Sequence, residues 1–419
     1  MNSHAHRLVF SRTLGCCVAV AETVASSGKS ASGERRSRIA RAAGAGALAL
    51  ASLGLQAQGL PAGVAPPAGV APKPAVPPAT GASVLPTGAT VVKGSGSIDV
   101  VGADMTVNQS SQRLVTDWQS FSIGAGNSVR FVQPSSSSVA LNRVTGDEQS
   151  NIFGSLVANG HVYLQNANGV YFAPGAQVSV GSLVATTLNV DLDQFMQGKL
   201  RLSGGNESMG SIDNAGSIVT APGGHVVLAG PVISNTGSIS TPGGTTVLAA
   251  GNAVDIDPLG SGLLSVSVPV AAINARLSQS GTITADGGAV QLAAAAADAA
   301  VRTVMQVGGV VRARSIEQRD GQILLSGGSS GMVIVDGQLD ASGGAAGQGG
   351  TIKVLGDRVG LTGETRLDAS GGSAGGTILV GGNWQGKGTE QNATNTYVGR
   401  DVVLDASATG NGDGGKVVV

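Results

Sequence analysis

Residues Leu141–Asn189, LNRVTGDEQSNIFGSLVANGHVYLQNANGVYFAPGAQVSVGSLVATTLN, decide the fold. They are a train of short β-type segments, such as HVYLQ (His161–Gln165) and AQVSV (Ala176–Val180), each closed by Asn-Gly, Pro-Gly or another glycine-bearing turn. No segment is long enough for a stable helix, and none repeats its apolar residues at a 3.6-residue period. The segments also follow one another too closely to leave room for helical crossovers. A chain that turns after every strand can stack its strands, each pairing with the one a full circuit earlier. The expected fold is therefore all-β, a parallel β-helix, right-handed as β-crossovers are.

Outward from that stretch, composition agrees. Glycine accounts for 67 of 419 residues, with no Gly-X-Y period, which excludes collagen. Hydrophobic residues make up 42% of the chain but aromatics only 3%, so the core must be built from Val, Ile, Leu and Ala. A formal net charge of −1 gives no electrostatic reason to expect nucleic acid or an anionic membrane surface as partner. The two cysteines, Cys16 and Cys17, are adjacent and close to the N-terminus. Their confinement there has two readings. A periplasmic disulfide would close a loop unable to thread a narrow pore, or repeat folds simply need no disulfide.

The same stretch resembles the secretion domain of filamentous-haemagglutinin-like exoproteins, the passengers of two-partner secretion. The family's hallmark is Asn-Pro-Asn-Gly-Ile after an ANGQVFL-like strand. Here ANGHVYL (Ala158–Leu164) precedes Asn166, Ala167, Asn168, Gly169 and Val170, with Ala167 in place of the proline. Upstream, FVQPSSSSVALNRVTG (Phe131–Gly146) matches the family's entry to this region, with Gln133, Pro134, Leu141, Asn142 and Arg143 as its marker residues. For Asn166 and Asn168 the functional reading is recognition by a transporter. The structural one is a tight turn, in which Asn tolerates left-handed φ and its amide bonds the backbone. The turn is the better physical expectation.

The N-terminus reads as an address. Arg35, Arg36, Arg38 and Arg41 form a basic n-region, and AAGAGALALASLGL (Ala42–Leu55) an apolar stretch too short to anchor in a bilayer. Cleavage is expected after Ala57. Ahead of this signal, His6–Lys29 resembles the extended signal-peptide region of large type V exported proteins through RLVFS (Arg7–Ser11), VAVAE (Val18–Glu22) and Gly28-Lys29. Leu14-Gly15-Cys16 is not a lipoprotein site, because no apolar stretch precedes it. A Pro/Ala/Gly-rich linker follows, with PAGVAP twice in succession. The expected division is 1–57 signal, 58–90 linker, 91–265 secretion domain and 266–419 β-helical repeats.

Beyond the secretion motif the chain repeats. GSIVTAPGGHVVLAG (Gly216–Gly230), GSISTPGGTTVLAAG (Gly237–Gly251) and GTITADGGAVQLAAA (Gly281–Ala295) share one pattern, and LDAS recurs from Leu339, Leu367 and Leu404. Each unit reads as strand, Gly-Gly turn, strand, with one face inward and the other out. About 330 residues at about 21 per circuit would give about 15 circuits and a rod of roughly 70 Å. Ser97–Val107 is the expected N-terminal cap. Around Ala293–Ala297, helix propensity competes with one further β circuit, and the flanking repeats favour the circuit.

No catalytic, cofactor or metal constellation can be assembled. His4 and His6 leave with the signal. His161 and His225 sit in alternating strands and read as outward-facing β residues. Asp147-Glu148 reads as a solvated loop. Gly343–Gly350 lacks the Lys-Ser/Thr of a phosphate loop, and GNGDGG at Gly410 occurs only once.

The resemblance implies a secreted, non-enzymatic exoprotein. It implies export by the Sec machinery, then passage through a dedicated outer-membrane β-barrel with periplasmic receptor domains, and folding outside into an adhesin shaft that meets host or neighbouring-cell receptors. One rival is the stalk of a toxin-delivery protein. The chain stops inside its third LDAS repeat, and a fragment of a longer protein is expected. The other is a carbohydrate-active β-helix enzyme, which would need a carboxylate or basic cluster on one exposed face.

Overall fold

The computed structural model describes residues 84–419, apart from 205–209, 259–263, 271, 273, 297–302 and 317–318, together with two antiparallel strands, His6–Ser11 and Cys16–Ala21. The expected signal apolar stretch, Ala57 and most of the linker lie outside the described residues. From Ser128 onward the chain winds through three sheets in constant order. The first runs from the hairpin Gly96–Val101/Asp104–Gln109 to Val403–Asp405, the second from Thr90–Lys93 to Lys416–Val418, and the third from Ser150–Ile152 to Asn395–Val398. They hold twelve, twelve and nine strands. Pairing within them is parallel except at the N-terminal end. There Gly96–Val101 runs antiparallel to Asp104–Gln109, and Thr90–Lys93 antiparallel to Arg113–Trp118. The protein is a parallel β-helix, and the segment expected to cap it does so.

Alternation places the core. In His161–Gln165, Val162 and Leu164 are fully buried inside, while His161, Tyr163 and Gln165 point outward. Down the first sheet Ile218, Ile239, Ile283, Val311, Leu339, Leu367 and Leu404 stack in register, so the two repeat families belong to one aliphatic column. Each such side chain contributes about 1.5–3 kcal/mol of burial only when the next circuit covers it. Of the alanine-rich segment, the part up to Ala294 joins the stack in strand Ala289–Ala294, with Val290, Leu292 and Ala294 inside, while residues 297–302 lie outside the described residues. Where the first sheet turns into the second, successive circuits approach too closely for a side chain. A Cβ on Gly244 would collide with the Gly224 carbonyl, and one on Gly288 with that of Gly244.

Three expectations need correction. Eleven circuits are described, not about 15, and the stack is about 48 Å tall at ~4.8 Å per step. Most circuits are longer than 21 residues, and some carry insertions: 40 residues separate Val178 from Ile218 and 44 separate Ile239 from Ile283, against 28 in each circuit from Ile283 to Leu367 and 37 from Leu367 to Leu404. The core is not wholly aliphatic. Trp118, Phe121, Phe131 and Phe172 fill its first circuits, Trp118 and Phe121 edge to face at 5.4 Å. And the outer face is not solvated throughout. Two insertions fold back over the second sheet as a four-stranded antiparallel sheet: Asn189–Val190, Leu200–Ser203, Ala253–Pro258 and Leu264–Val270, with the short helix Leu192–Met196. Phe195, Leu202, Val254 and Ile256 form one buried cluster with the outward residues Val227, Ala229, Val247 and Ala249. Strand Thr245–Ala250 is consequently buried at every position.

Candidate functional site

The Asn166–Gly169 turn joins strand His161–Gln165 of the second sheet to Val170–Phe172 of the third. Gly169 N–H donates to the Asn166 carbonyl at 3.0 Å, closing the turn, and Asn166 N–H donates to Thr186 of the next circuit at 2.9 Å. The Asn166 side chain is completely buried. Its Nδ2 donates to the Glu148 carbonyl and to Ser150 Oγ, both at 2.9 Å, and its Oδ1 accepts from Asn168 N–H at 2.9 Å. Asn168 Nδ2 donates to the Gly146 carbonyl at 2.9 Å. Both asparagines therefore stitch this turn to the loop one circuit earlier, and the exposed Asp147-Glu148 pair belongs to that loop. The left-handed position is not an asparagine, as expected, but Gly169, at φ +112°, where a Cβ would also lie 2.8 Å from the Ser211 carbonyl. Val170 starts the next strand fully buried. Ala167 is exposed at the second turn position, which favours proline but needs none of the hydrogen bonds above.

Of the upstream residues, Gln133 and Pro134 lie at another corner, and Leu141, Asn142 and Arg143 within strand Val139–Val144 of the second sheet. Gln133 is buried where the first sheet turns into the second. Its Nε2 bonds Gln109 Oε1 at 3.0 Å and the Ser138 carbonyl at 3.1 Å, and its Oε1 accepts from Gly160 N–H at 2.9 Å. Pro134 beside it is exposed. Asn142 points into the core, where its Oδ1 accepts from Trp118 Nε1 at 3.0 Å. Leu141 points the opposite way, into the covered outer cluster. Arg143 forms a two-pronged pair with Asp117, both bonds 2.7 Å. The structure thus separates these residues into distinct corners and does not gather them in one cleft. Of these, Gln133 satisfies buried backbone groups where the chain turns, while Asn142 and Arg143 pair side chains of adjacent circuits.

Two groupings escaped the sequence reading. The first is a buried amide column, in which Asn214 Nδ2 bonds Asn235 Oδ1 and Asn235 Nδ2 bonds Gln279 Oε1, each at 2.7 Å. Its signal was present one step before the repeat, in DNAGSI, SNTGSI and SQSGTI. The second lies under the covering sheet. His161 and His225 face outward as expected, but their rings meet edge to face at 5.4 Å, with Tyr163 next to His225 and Phe195 next to Tyr163. The Arg113 guanidinium sits 5.4 Å from the Phe195 ring centroid. Burial, with His161 beside it, depresses the His225 pKa to about 3. Burial and the Arg113 charge lower that of His161, while burial pushes Tyr163 up to about 12. Nothing in the sequence around Phe195 said which face it would cover.

Among the described residues no three His, Cys, Asp or Glu side chains come together as a metal site. The charged residues that do stack, along the first sheet, are mutually paired: Asp286 with Arg312 at 2.8 Å, Asp340 with Arg314 at 2.7 Å and Asp368 with Arg366 at 3.0 Å. In LDAS the Asp carboxylate accepts from the serine two residues on, at 2.6 Å in both Asp340–Ser342 and Asp368–Ser370. This motif is a turn.

Comparison with known proteins agrees with that geometry. The family described as TPS secretion domain matches residues 82–341, and the Extended Signal Peptide of Type V secretion system matches residues 1–52. A heme/hemopexin-binding protein of Haemophilus influenzae is 34% identical over 253 residues, 58% of this chain and 27% of the relative. A second protein of that name from H. influenzae is 46% identical over 101 residues, 24% of this chain and 11% of the relative. The chain thus spans about a quarter or less of these relatives. The crystal structure of the HMW1 secretion domain from H. influenzae superposes with a TM-score of 0.68 at 25% identity, covering 77% of this chain and 84% of that one. An extended type V signal peptide ahead of a secretion domain marks a Gram-negative protein that passes through the periplasm to the cell surface or the medium. With the family match covering more than half of its residues, the chain belongs to the TPS secretion-domain family, the exported partners of two-partner secretion.

Proposed function

We propose that residues 91–265 engage a dedicated outer-membrane β-barrel through its periplasmic receptor domains, after Sec export, and that residues 266–419 begin a non-enzymatic adhesin shaft built outside the cell. The observation that carries this reading is the Asn166–Gly169 turn. Its hydrogen bonds reach both the preceding and the following circuit, so its full set is made only when three consecutive circuits are in place. A chain emerging circuit by circuit would complete such turns in order, and each completed turn would oppose its return. The test is secretion of this chain with and without its barrel partner. Extracellular protein should vanish without the barrel, and undiminished extracellular protein would overturn the reading. The relatives' name supports a second reading for the surface function, capture of heme or hemopexin. Retention of the secreted chain on immobilised hemopexin, but not on an unrelated serum glycoprotein, separates it from cell adhesion.

A further inference from the structure

The cover over the second sheet closes on two histidines. His161 and His225 begin strands two circuits apart, with the fully buried Ser182 between them. Two ladder steps put their backbones roughly 10 Å apart, yet the rings lean across the small serine and meet at 5.4 Å. Ser182 Oγ accepts from the His225 backbone N–H at 3.0 Å, and among the described residues no protein atom hydrogen-bonds either ring. The described charged groups of the surrounding elements offer no counter-ion. From the sheet, Arg113 stands beside His161 and Phe195, Tyr163 beside His225, and Asp117 is held by Arg143 at 2.7 Å. From the cover, Asp191 caps the helix Leu192–Met196, Asp193 pairs with Lys93 at 3.0 Å, Asp255 faces Arg201 at 4.0 Å, and Lys199 is exposed. A proton on each ring therefore places three cations under an apolar cover without a carboxylate to receive them, and buried charge without a partner is strongly unfavourable.

Side chains attach the cover to the β-helix. At its margin Lys93 Nζ donates to Asp193, and Gln165 Nε2 donates to Asn189 Oδ1 at 3.1 Å, both in exposed positions. Underneath, Phe195 and Leu202 pack in the apolar cluster with Val227 and Val247. The strands beneath are held differently, by ladder hydrogen bonds to circuits on both sides. We propose that the cover is an acid-released flap: in acid, His161, His225 and Arg113 repel one another and drive off the Phe195 helix with its sheet, so that the outward column Val184, Val227 and Val247 meets solvent while the β-helix stays wound. A face sealed at neutral pH becomes an exposed apolar strip, the kind of surface that binds a partner. With the cover closed, burial lowers both ring pKa values, that of His225 to about 3; with it open, they return to about 6.5. The closed form is favoured above pH 6.5 and loses ground below it. The open fraction grows by up to about tenfold per pH unit for His225, and His161 acts in the same direction. Neither the flap nor its trigger rests on the adhesin reading.

The test compares the secreted protein at pH 7 and pH 4.5 by amide hydrogen exchange, corrected for its intrinsic pH dependence, and by binding of an apolar dye. Phe195, Leu202 and Ile256 of the cover should exchange at least about tenfold faster in acid, while Leu292, Leu325 and Leu339 of the inner columns keep their protection. Dye binding should appear in acid and reverse on return to pH 7. The double variant His161→Gln, His225→Gln removes both titrating rings and should stay shut at pH 4.5. Histidine ring resonances of the unsubstituted protein give a reading that needs no variant: both rings should take up protons only as the cover opens. Unchanged exchange in the cover, equal loss in the cover and the inner columns, equal opening of the double variant, or rings that titrate near pH 6.5 with the cover shut would each overturn the proposal.

Discussion

The circuits before Val270 and those after it share one backbone plan but differ in what lies outside the second sheet. In the first group strand Thr245–Ala250 is buried on both faces, beneath Phe195, Leu202, Val254 and Ile256. In the second, Gln322–Ser326 alternates between a buried inner face and a partly exposed outer one. The two strands are neighbours in the same column, each paired in register with Ala289–Ala294. Strand alternation therefore fixes the inner face of a β-helix, while insertions at the corners decide whether the outer face becomes a second core. The polar corners of Gln133 and Asn166 belong to the first group, and the three 28-residue circuits from Ile283 to Leu367 to the second.

This contrast can be broken. The largest effect is expected from Gly244→Val, which drives a side chain into the Gly224 carbonyl and should cost more than about 4 kcal/mol. Loss of the cooperative β-sheet transition in urea would show it. Phe195→Ala should cost about 3–5 kcal/mol, but locally. Amide exchange should rise in Val227 and Val247 and stay unchanged in Leu325, and equal loss in both regions would erase the distinction drawn here. Asn166→Ala leaves the Glu148 carbonyl and Ser150 hydroxyl without their donor and should cost about 2–3 kcal/mol, seen as lower extracellular yield and a lower urea midpoint.

The covered region also predicts a pH response. His161 and His225 have folded pKa values below the unfolded 6.5, so the unfolded chain takes up protons first. The His225 contribution is complete above pH 6.5 and declines as pH falls toward 3, by up to about 1.4 kcal/mol per pH unit, and His161 acts in the same direction. His225→Gln should flatten the urea midpoint between pH 6.5 and 4, and an unchanged slope would show that the covering sheet leaves the pair in water. The smallest effect is at Ala167. Its exposed second turn position suits proline, so Ala167→Pro should raise stability by about 0.4–1 kcal/mol, chiefly by restricting the unfolded chain. A loss would mean that the turn does not have the backbone inferred for it.

Much of this was legible in advance. The glycine-punctuated segments around HVYLQ gave the solenoid, Ser97–Val107 gave the cap, and the LDAS repeats gave the register of the first sheet. The asparagine turn was also legible as a turn, but its left-handed residue was misplaced, because Asn and Gly both tolerate positive φ and only the folded chain, through φ +112° and the close approach of Ser211, selects glycine. Gln133 and Asn142 were found by resemblance alone. Their side-chain partners Gln109 and Trp118 lie 24 residues away in each case, and a single sequence carries no record of such pairings.

The sequence by itself determined that strands would stack and which side chains would face inward, because a period of two and a turn after each strand are local properties of the chain. Only the tertiary structure decided how many residues each circuit takes, which outward residues would be covered, and that Phe195 would be hidden. The reason is that burial of an outward side chain depends on where an insertion lands after leaving its corner. That landing is set by contacts between segments tens of residues apart, which no local pattern encodes.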